Sequence, residues 1–237
     1  MERFPSDFGL MCQSAYYKVR KVDILREVPS FRRYLEVCPH YYTHEFIPGP
    51  IYPRQLAKLV DFFWTGSYAF TADEALQYPL RFSVDNCLCD GCNNWCRLLR
   101  AHFDMFLVAR WLQMDQLQHK AMEAFQEALH GAPIKVVMWA IRCVYGSPYS
   151  AKRCDSNGER YSLGQIPDYR QHFVVPAILE HCQRPPTAGD PCQSMFDISA
   201  LGNFQELLLL YPCLREDINC WISPASQVSS ANFSFLA

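Results

Sequence analysis

The segment from Val108 to Phe125 constrains the fold more than any other part of the chain, because it is typical of two helices joined by a tight polar break. After the break, apolar residues recur at the three- and four-residue spacing of one helical face: Leu117, Ala121, Ala124, Phe125 and Ala128. Asp115 is the predicted N-cap of the second helix, because a carboxylate can accept from first-turn backbone N–H groups. Gly131 is predicted to end that helix, since glycine readily adopts positive φ. The segment therefore predicts a packed helical hairpin.

Short strands are predicted near the beginning of the chain. Apolar residues at every second position over 8–12 and 17–19 are typical of a β-hairpin, and 44–47 is apolar enough for a third strand. Pro53 is predicted to begin a helix that ends at Gly66. Its expected buried face consists of Leu56, Leu59, Val60, Phe63 and Trp64. Thr71 and Glu74 have the spacing of a capping box, which predicts another helix start.

Further helices are predicted in the second half of the chain. Helical spacing of apolar residues covers 134–145, 172–182 and 200–211, and the second of these includes Pro176. The polar segment 146–165 is a predicted loop, 184–193 a predicted surface linker, and 223–237 a predicted loose tail. This half therefore predicts a helical extension over 131–222.

An irregular insertion is predicted over about 77–97, immediately before the helical hairpin. From Gln77 to Cys96 no helical or strand period is visible, and turn-forming pairs such as Asp90-Gly91 recur. The insertion contains four cysteines within ten residues: Cys87, Cys89, Cys92 and Cys96.

These four cysteines allow two interpretations. Thiolates suit tetrahedral zinc, and the two-residue gap between Cys89 and Cys92 is common in zinc knuckles. Structural zinc sites, however, usually take two ligands from one turn and two from a distant one. The sequence therefore predicts reduced thiols and no cofactor, with a zinc-binding module at Cys87–Cys96 as the alternative function.

Composition narrows the class of protein. Half of the 237 residues are hydrophobic and the formal net charge is −2, so we expect a folded chain that does not bind nucleic acid. No apolar run is long enough to cross a bilayer, and no signal peptide is visible. The expected location is cytoplasmic or nuclear, without membrane association, and the 12 cysteines are expected to be reduced.

Motifs for catalysis are missing from the sequence. It contains no glycine-rich phosphate loop, no G-x-S-x-G elbow and no G-x-G-x-x-G following a strand. His44-Glu45 begins like a zincin helix, but Pro48 stands where the second histidine would be. We therefore expect a protein that is not an enzyme.

The order of motifs resembles the BTB/POZ family. An apolar-Ala-x-x-aromatic stretch at Ala109 runs into a Leu-x-x-x-Ala-x-x-x-Phe helix at 117–125, which is similar to the closing helix pair of that family. Segments 6–10 and 17–21 resemble its first two strands, and 29–31 its next helix start. Segment 56–68 resembles its apolar helix ending in aromatic-Thr-Gly-x-Tyr.

The resemblance implies an α+β fold, with a BTB/POZ-like helical cluster and small sheet over 6–130. The region 131–222 resembles the helical extension of fungal-type BTB proteins, in which a Pro-x-apolar-x-x-Asp ending recurs (here Pro212, Leu214 and Asp217). The implied function is protein–protein interaction, as an adaptor or scaffold and in some members a cullin ubiquitin-ligase adaptor. Candidate partner contacts are Tyr16, Arg20, Phe31, Tyr34, Tyr41 and Tyr42.

Two departures from the family concern its dimer surface. Arg20 stands where a histidine is usual, and Val28 where a serine is usual. The Arg20 charge must be solvated or paired. Only Met1 to Pro5 precede the first predicted strand, too few residues for a long strand exchange. We therefore expect a monomer or a weak homodimer.

Overall fold

A computed structural model describes the chain over residues 8–13, 15–28, 31, 44–46, 53–78, 90–146, 153–154, 160–161, 168–183 and 198–222. This part of the chain is mainly helical with small sheets, so the predicted α+β class is confirmed. It divides into two compact units. The first consists of the described parts of Met1–Thr71 and Ala101–Glu123, and the second of those of Ala72–Arg100 and Ala124–Ala237. The expected BTB-like domain boundary near residue 130 stays a prediction.

The first unit contains a three-stranded sheet in the order β2-β1-β3. Strand β1 (Phe8–Cys12) pairs antiparallel with β2 (Ala15–Val19) and parallel with β3 (His44–Phe46). Both the predicted hairpin and the predicted third strand are confirmed. The alternation that predicted the hairpin has its physical basis in the core, because Phe8, Leu10 and Cys12 are all buried.

Two helices pack near this sheet, α1 (Lys21–Glu27) and α2 (Pro53–Thr65). Helix α2 begins at Pro53 and ends before Gly66, whose φ is +70°, as predicted. The predicted buried face included two residues that are not buried, Val60 and Trp64. The core face consists of Gln55, Leu56, Leu59, Phe62 and Phe63. This set has the spacing of a single helical stripe, and Trp64 lies just beyond its edge.

The predicted irregular insertion over about 77–97 is contradicted at its C-terminal end. Helix α3 (Ala72–Leu76) begins directly after Thr71, as the capping-box spacing predicted. Helix α4 (Asp90–Trp111) begins at Asp90, so the prediction of irregular structure through Cys96 was wrong. Polar residues hid the helical period there, but Cys92, Cys96, Leu99 and Phe103 form a buried line at helical spacing. Residues 79–89 lie outside the described part of the chain.

The predicted helical hairpin is present as α4 and α5 (Asp115–Leu129), and Leu117, Ala121 and Phe125 are fully buried as predicted. The N-cap prediction was wrong, because the Met114 carbonyl, 2.9 Å from the Gln118 amide nitrogen, accepts the first intrahelical bond. Asp115 is the first helical residue, and its Oδ1 accepts from Gln118 Nε2 at 3.3 Å. A carboxylate at this first position still stabilises the helix, because it lies at the positive end of the helix dipole. Gly131 has a φ of +74°, which confirms its predicted role.

A Schellman motif makes the break between α4 and α5. The Met114 amide donates to the Ala109 carbonyl at 2.8 Å, and the Gln113 amide donates to the Arg110 carbonyl at 3.1 Å. This pattern requires a left-handed residue at Gln113, whose φ is +59°. Glycine would adopt that conformation without the strain that a side chain brings.

We expect Gln113→Gly to raise the free energy of unfolding by about 1 kcal/mol, because the left-handed conformation costs a non-glycine residue roughly that amount. The Gln113 side chain is exposed, so its removal sacrifices little packing. Urea denaturation measures the change, and Gln113→Ala is the matched control because alanine has the same backbone strain. A glycine variant no more stable than the alanine variant would contradict the expectation.

The second unit is built around α6 (Ile134–Tyr145), whose bounds agree with the predicted helix. Every residue of α6 except Lys135 and Arg142 is buried. It contacts α7 (Asp168–Gln183) and α8 (Ile198–Leu210), and α9 (Pro212–Ile222) packs on both of these helices. The strands β4 (Arg153–Cys154) and β5 (Arg160–Tyr161) pair antiparallel.

The predicted helices in this unit are confirmed, and one helix was missed. Helix α7 passes through Pro176, as expected. Helix α9 was not predicted, although proline is well tolerated at a first helical position, as Pro212 is here. Within α9, Leu214 and Asp217 are buried, and the Tyr145 hydroxyl donates to Asp217 Oδ2 at 2.5 Å. The predicted linker at 184–193 and tail at 223–237 lie outside the described residues.

Candidate interaction surface

A partly buried ion-pair network joins the end of β2 to α1. Arg20 stands between the two elements and directs its guanidinium toward Asp23 in the first turn of α1. Arg20 Nε donates to Asp23 Oδ2 at 2.5 Å, and Nη2 donates to Oδ1 at 2.9 Å. Arg26 Nη2 lies 3.2 Å from the same Oδ1. One carboxylate is therefore held by two guanidinium groups, and one of these pairs is bidentate.

The buried member of this network is its carboxylate. The Asp23 residue is 1% exposed, and a buried charge is tolerated when it is paired and hydrogen-bonded. The expectation that the Arg20 charge must be paired or solvated is confirmed as pairing. Arg26 Nε also donates to Glu27 Oε1 at 2.6 Å, and this hydrogen bond raises the pKa of Arg26 above its ordinary value.

Trp64 completes a surface with Arg20. Trp64 lies in the last turn of α2 and is 50% exposed. The Arg20 Cζ atom lies 5.7 Å from the centroid of the Trp64 ring, which is within the range of a cation–π contact. Val22, on the first turn of α1, is 62% exposed. We call Arg20, Val22, Asp23, Arg26 and Trp64 the Arg20–Trp64 surface.

The partner contacts that were predicted from the sequence differ in their exposure. Tyr16 is exposed, and its ring lies over Gly9 on the sheet, where a Cβ would come within 2.5 Å of Tyr16 Cε2. Arg20 and Phe31 are half-buried. The remaining three candidates lie outside the described residues: Tyr34, Tyr41 and Tyr42.

Two members of the Arg20–Trp64 surface escaped the sequence analysis. Trp64 was assigned to the core because its neighbours are also large and apolar, but the buried stripe of α2 ends at Phe63. Asp23 was not recognised as a pairing partner. A signal was present, since Asp23 follows Arg20 by three residues, the spacing at which opposite charges meet on a helix.

A second cluster in the first unit surrounds the buried His102. The Tyr68 hydroxyl oxygen and His102 Nδ1 are 3.0 Å apart and hydrogen-bonded. The Phe70 ring packs edge-on against His102, with centroids 5.5 Å apart, and Lys58 Nζ lies 5.7 Å from the Phe70 centroid. Burial lowers the pKa of His102 to about 4 and raises the pKa of Tyr68. Both groups are therefore neutral near pH 7, and the cluster is suited to packing more than to proton transfer.

The predicted cysteine cluster is only partly described. Cys92 and Cys96 lie one turn apart on α4, and both are buried. Cys87 and Cys89 lie outside the described residues. Within the described ranges, no group of three or more His, Cys, Asp or Glu side chains is arranged to hold a metal ion. The alternative of a zinc site at Cys87–Cys96 stays a prediction.

Comparisons of the chain with protein-family models, with curated proteins and with solved structures found no match. None of the helices in the described part of the chain has the length and apolarity that a bilayer crossing requires.

Proposed function

We propose that the chain is a protein–protein interaction module of the BTB type that acts as an adaptor or scaffold and not as an enzyme. The observation that carries the proposal is the half-exposed Trp64, whose ring centroid lies 5.7 Å from Arg20 Cζ. Tryptophan and arginine are the residues that most often dominate binding energy at protein interfaces. Because Asp23 already fixes the Arg20 side chain, a partner would lose little of its binding energy to ordering that side chain.

The sequence resemblance to the BTB/POZ family supports the same function and suggests the first partners to test. A cullin ubiquitin-ligase scaffold is the narrowest of these, and a weak homodimer is another. A cytoplasmic or nuclear location belongs to the same proposal. The α+β class of the described residues agrees with the class that the resemblance implies.

Trp64→Ala tests this function directly. We expect quantitative affinity purification to recover from cells a set of proteins with the wild-type chain and with Leu209→Ala, and to lose that set with Trp64→Ala. Loss of a central tryptophan typically weakens binding by roughly tenfold or more. Leu209 is the matched control because it is another large, exposed apolar residue, 76% exposed on α8.

The comparison requires that both variants remain folded, which thermal melting and circular dichroism measure. A protein set recovered equally well with Trp64→Ala would contradict the role of this surface. A cullin in the Trp64-dependent set would support the narrow proposal, and its absence from that set would remove the cullin while leaving the interaction function.

A further inference from the structure

The charges of the Arg20–Trp64 surface are unequally exposed. The Asp23 side chain is 2% exposed and that of Glu27 16%, whereas those of Arg20 and Arg26 are 28% and 59% exposed. An approaching molecule therefore meets the guanidinium groups and not the carboxylates that neutralise them. The two arginines and the two carboxylates cancel in formal charge, and Lys18 and Lys21 give residues 18–27 a net charge of +2 in a chain whose net charge is −2.

Apolar groups lie beside these cations. Val22 and Arg26 are four residues apart on α1, so their side chains are neighbours on one helical face. Trp64 joins the surface through its contact with Arg20, which shares the Asp23 carboxylate with Arg26. The surface thus combines an exposed indole, an exposed valine and an exposed guanidinium.

We infer that the Arg20–Trp64 surface binds an acidic peptide segment of a partner protein, with an apolar side chain of that segment against Trp64 and its carboxylates against Arg26. The inference rests on the proposed function and specifies the chemistry of the partner. Charge complementarity of this kind accelerates association and rejects basic partners. A second copy would present the same excess of exposed guanidinium over exposed carboxylate, so charge complementarity favours an acidic partner over a second copy.

A peptide array tests the inference with the full-length chain. The probes are short random peptides in three classes that share apolar residues and differ in their other positions: acidic, neutral or basic. We expect the chain to bind the acidic class, with a signal that falls as salt is added. Trp64→Ala should lower that signal roughly tenfold or more, and Arg26→Gln should lower it several-fold. Leu209→Ala, whose altered residue belongs to the second unit, should leave it unchanged.

The outcomes separate the inference from the proposed function. Trp64-dependent binding that is equal for all three peptide classes, or unaffected by Arg26→Gln, overturns the acidic partner and leaves the interaction function standing. Tighter Trp64-dependent binding of a single-stranded DNA oligonucleotide than of acidic peptides overturns the inference in favour of a nucleic acid. If no class binds in a Trp64-dependent way, the inference fails, and if in addition no partner in cells depends on Trp64, the proposed function fails as well.

Discussion

Replacement of Phe125 by alanine is expected to lower the free energy of unfolding by about 3–5 kcal/mol, the cost typical of a large-to-small change in a packed core. Phe125 is fully buried on α5, and its ring meets that of Phe173 on α7 edge-to-face, with centroids 4.9 Å apart. The variant therefore loses both buried apolar area and an aromatic pair. Urea denaturation of the purified chain measures the loss.

Leu209→Ala is the matched control for this change. It also shortens a large apolar side chain of the second unit, but at a position that is 76% exposed, so we expect an effect within about 0.5 kcal/mol. Phe173→Ala alone and combined with Phe125→Ala completes a double-mutant cycle, in which the shared ring contact should make the two losses less than additive. A Phe125→Ala variant that melts within a degree or two of the wild type would contradict the packing of α5.

Acidification is expected to destabilise the first unit through His102. Burial lowers the pKa of His102 in the folded chain to about 4, from an ordinary value of 6.5. Between these two pH values the unfolded chain binds a proton that the folded chain does not. The contribution of neutral His102 is therefore fully present above about pH 6.5 and is lost as the pH falls toward 4, by up to about 3 kcal/mol.

Two variants separate the titration of His102 from that of the other groups. His102→Gln removes the titration, so the fall in stability between pH 6.5 and pH 4 should be smaller by about that amount. Tyr68→Phe removes the hydrogen bond but leaves the histidine buried, so it should keep the steep fall, because burial is the cause of the lowered pKa. Urea denaturation at several pH values measures both. Equal pH dependence of the wild type and His102→Gln would rule out this role.

The sequence was most informative where a periodic pattern is long and unambiguous. Helix α6 was predicted with the bounds it has, because apolar residues recur along its whole length and proline and glycine flank it. The β1–β2 hairpin followed from alternation, and the end of α2 from Gly66, because these signals are local properties of the backbone. The first residues of helix α4 were not predicted to be helical, because the polar residues Asp90, Asn93 and Asn94 obscure the apolar period there.

The candidate surface was only partly predictable, because the sequence does not fix which residues of α2 face the core. Tyr16 and Arg20 were identified through the family resemblance, whereas Trp64 was assigned to the core. Phe62, Phe63 and Trp64 are three consecutive aromatic residues, and sequence alone does not say which of them faces the core. A shift of one residue rotates the helical stripe by about 100°, so the choice depends on what packs against α2.

The sequence by itself therefore determined the α+β class, the helical hairpin at α4 and α5, and the bounds of the strongly periodic helices, because each depends on neighbours a few residues apart. Only the tertiary structure decided that Asp23 is buried between two arginines, that Trp64 is exposed beside Arg20, and that His102 is buried against Tyr68. The pair Tyr68–His102 is 34 residues apart in the chain, and Arg20 and Trp64 are on different elements. Burial, and contacts between groups this far apart in the chain, arise from packing, which no local pattern encodes.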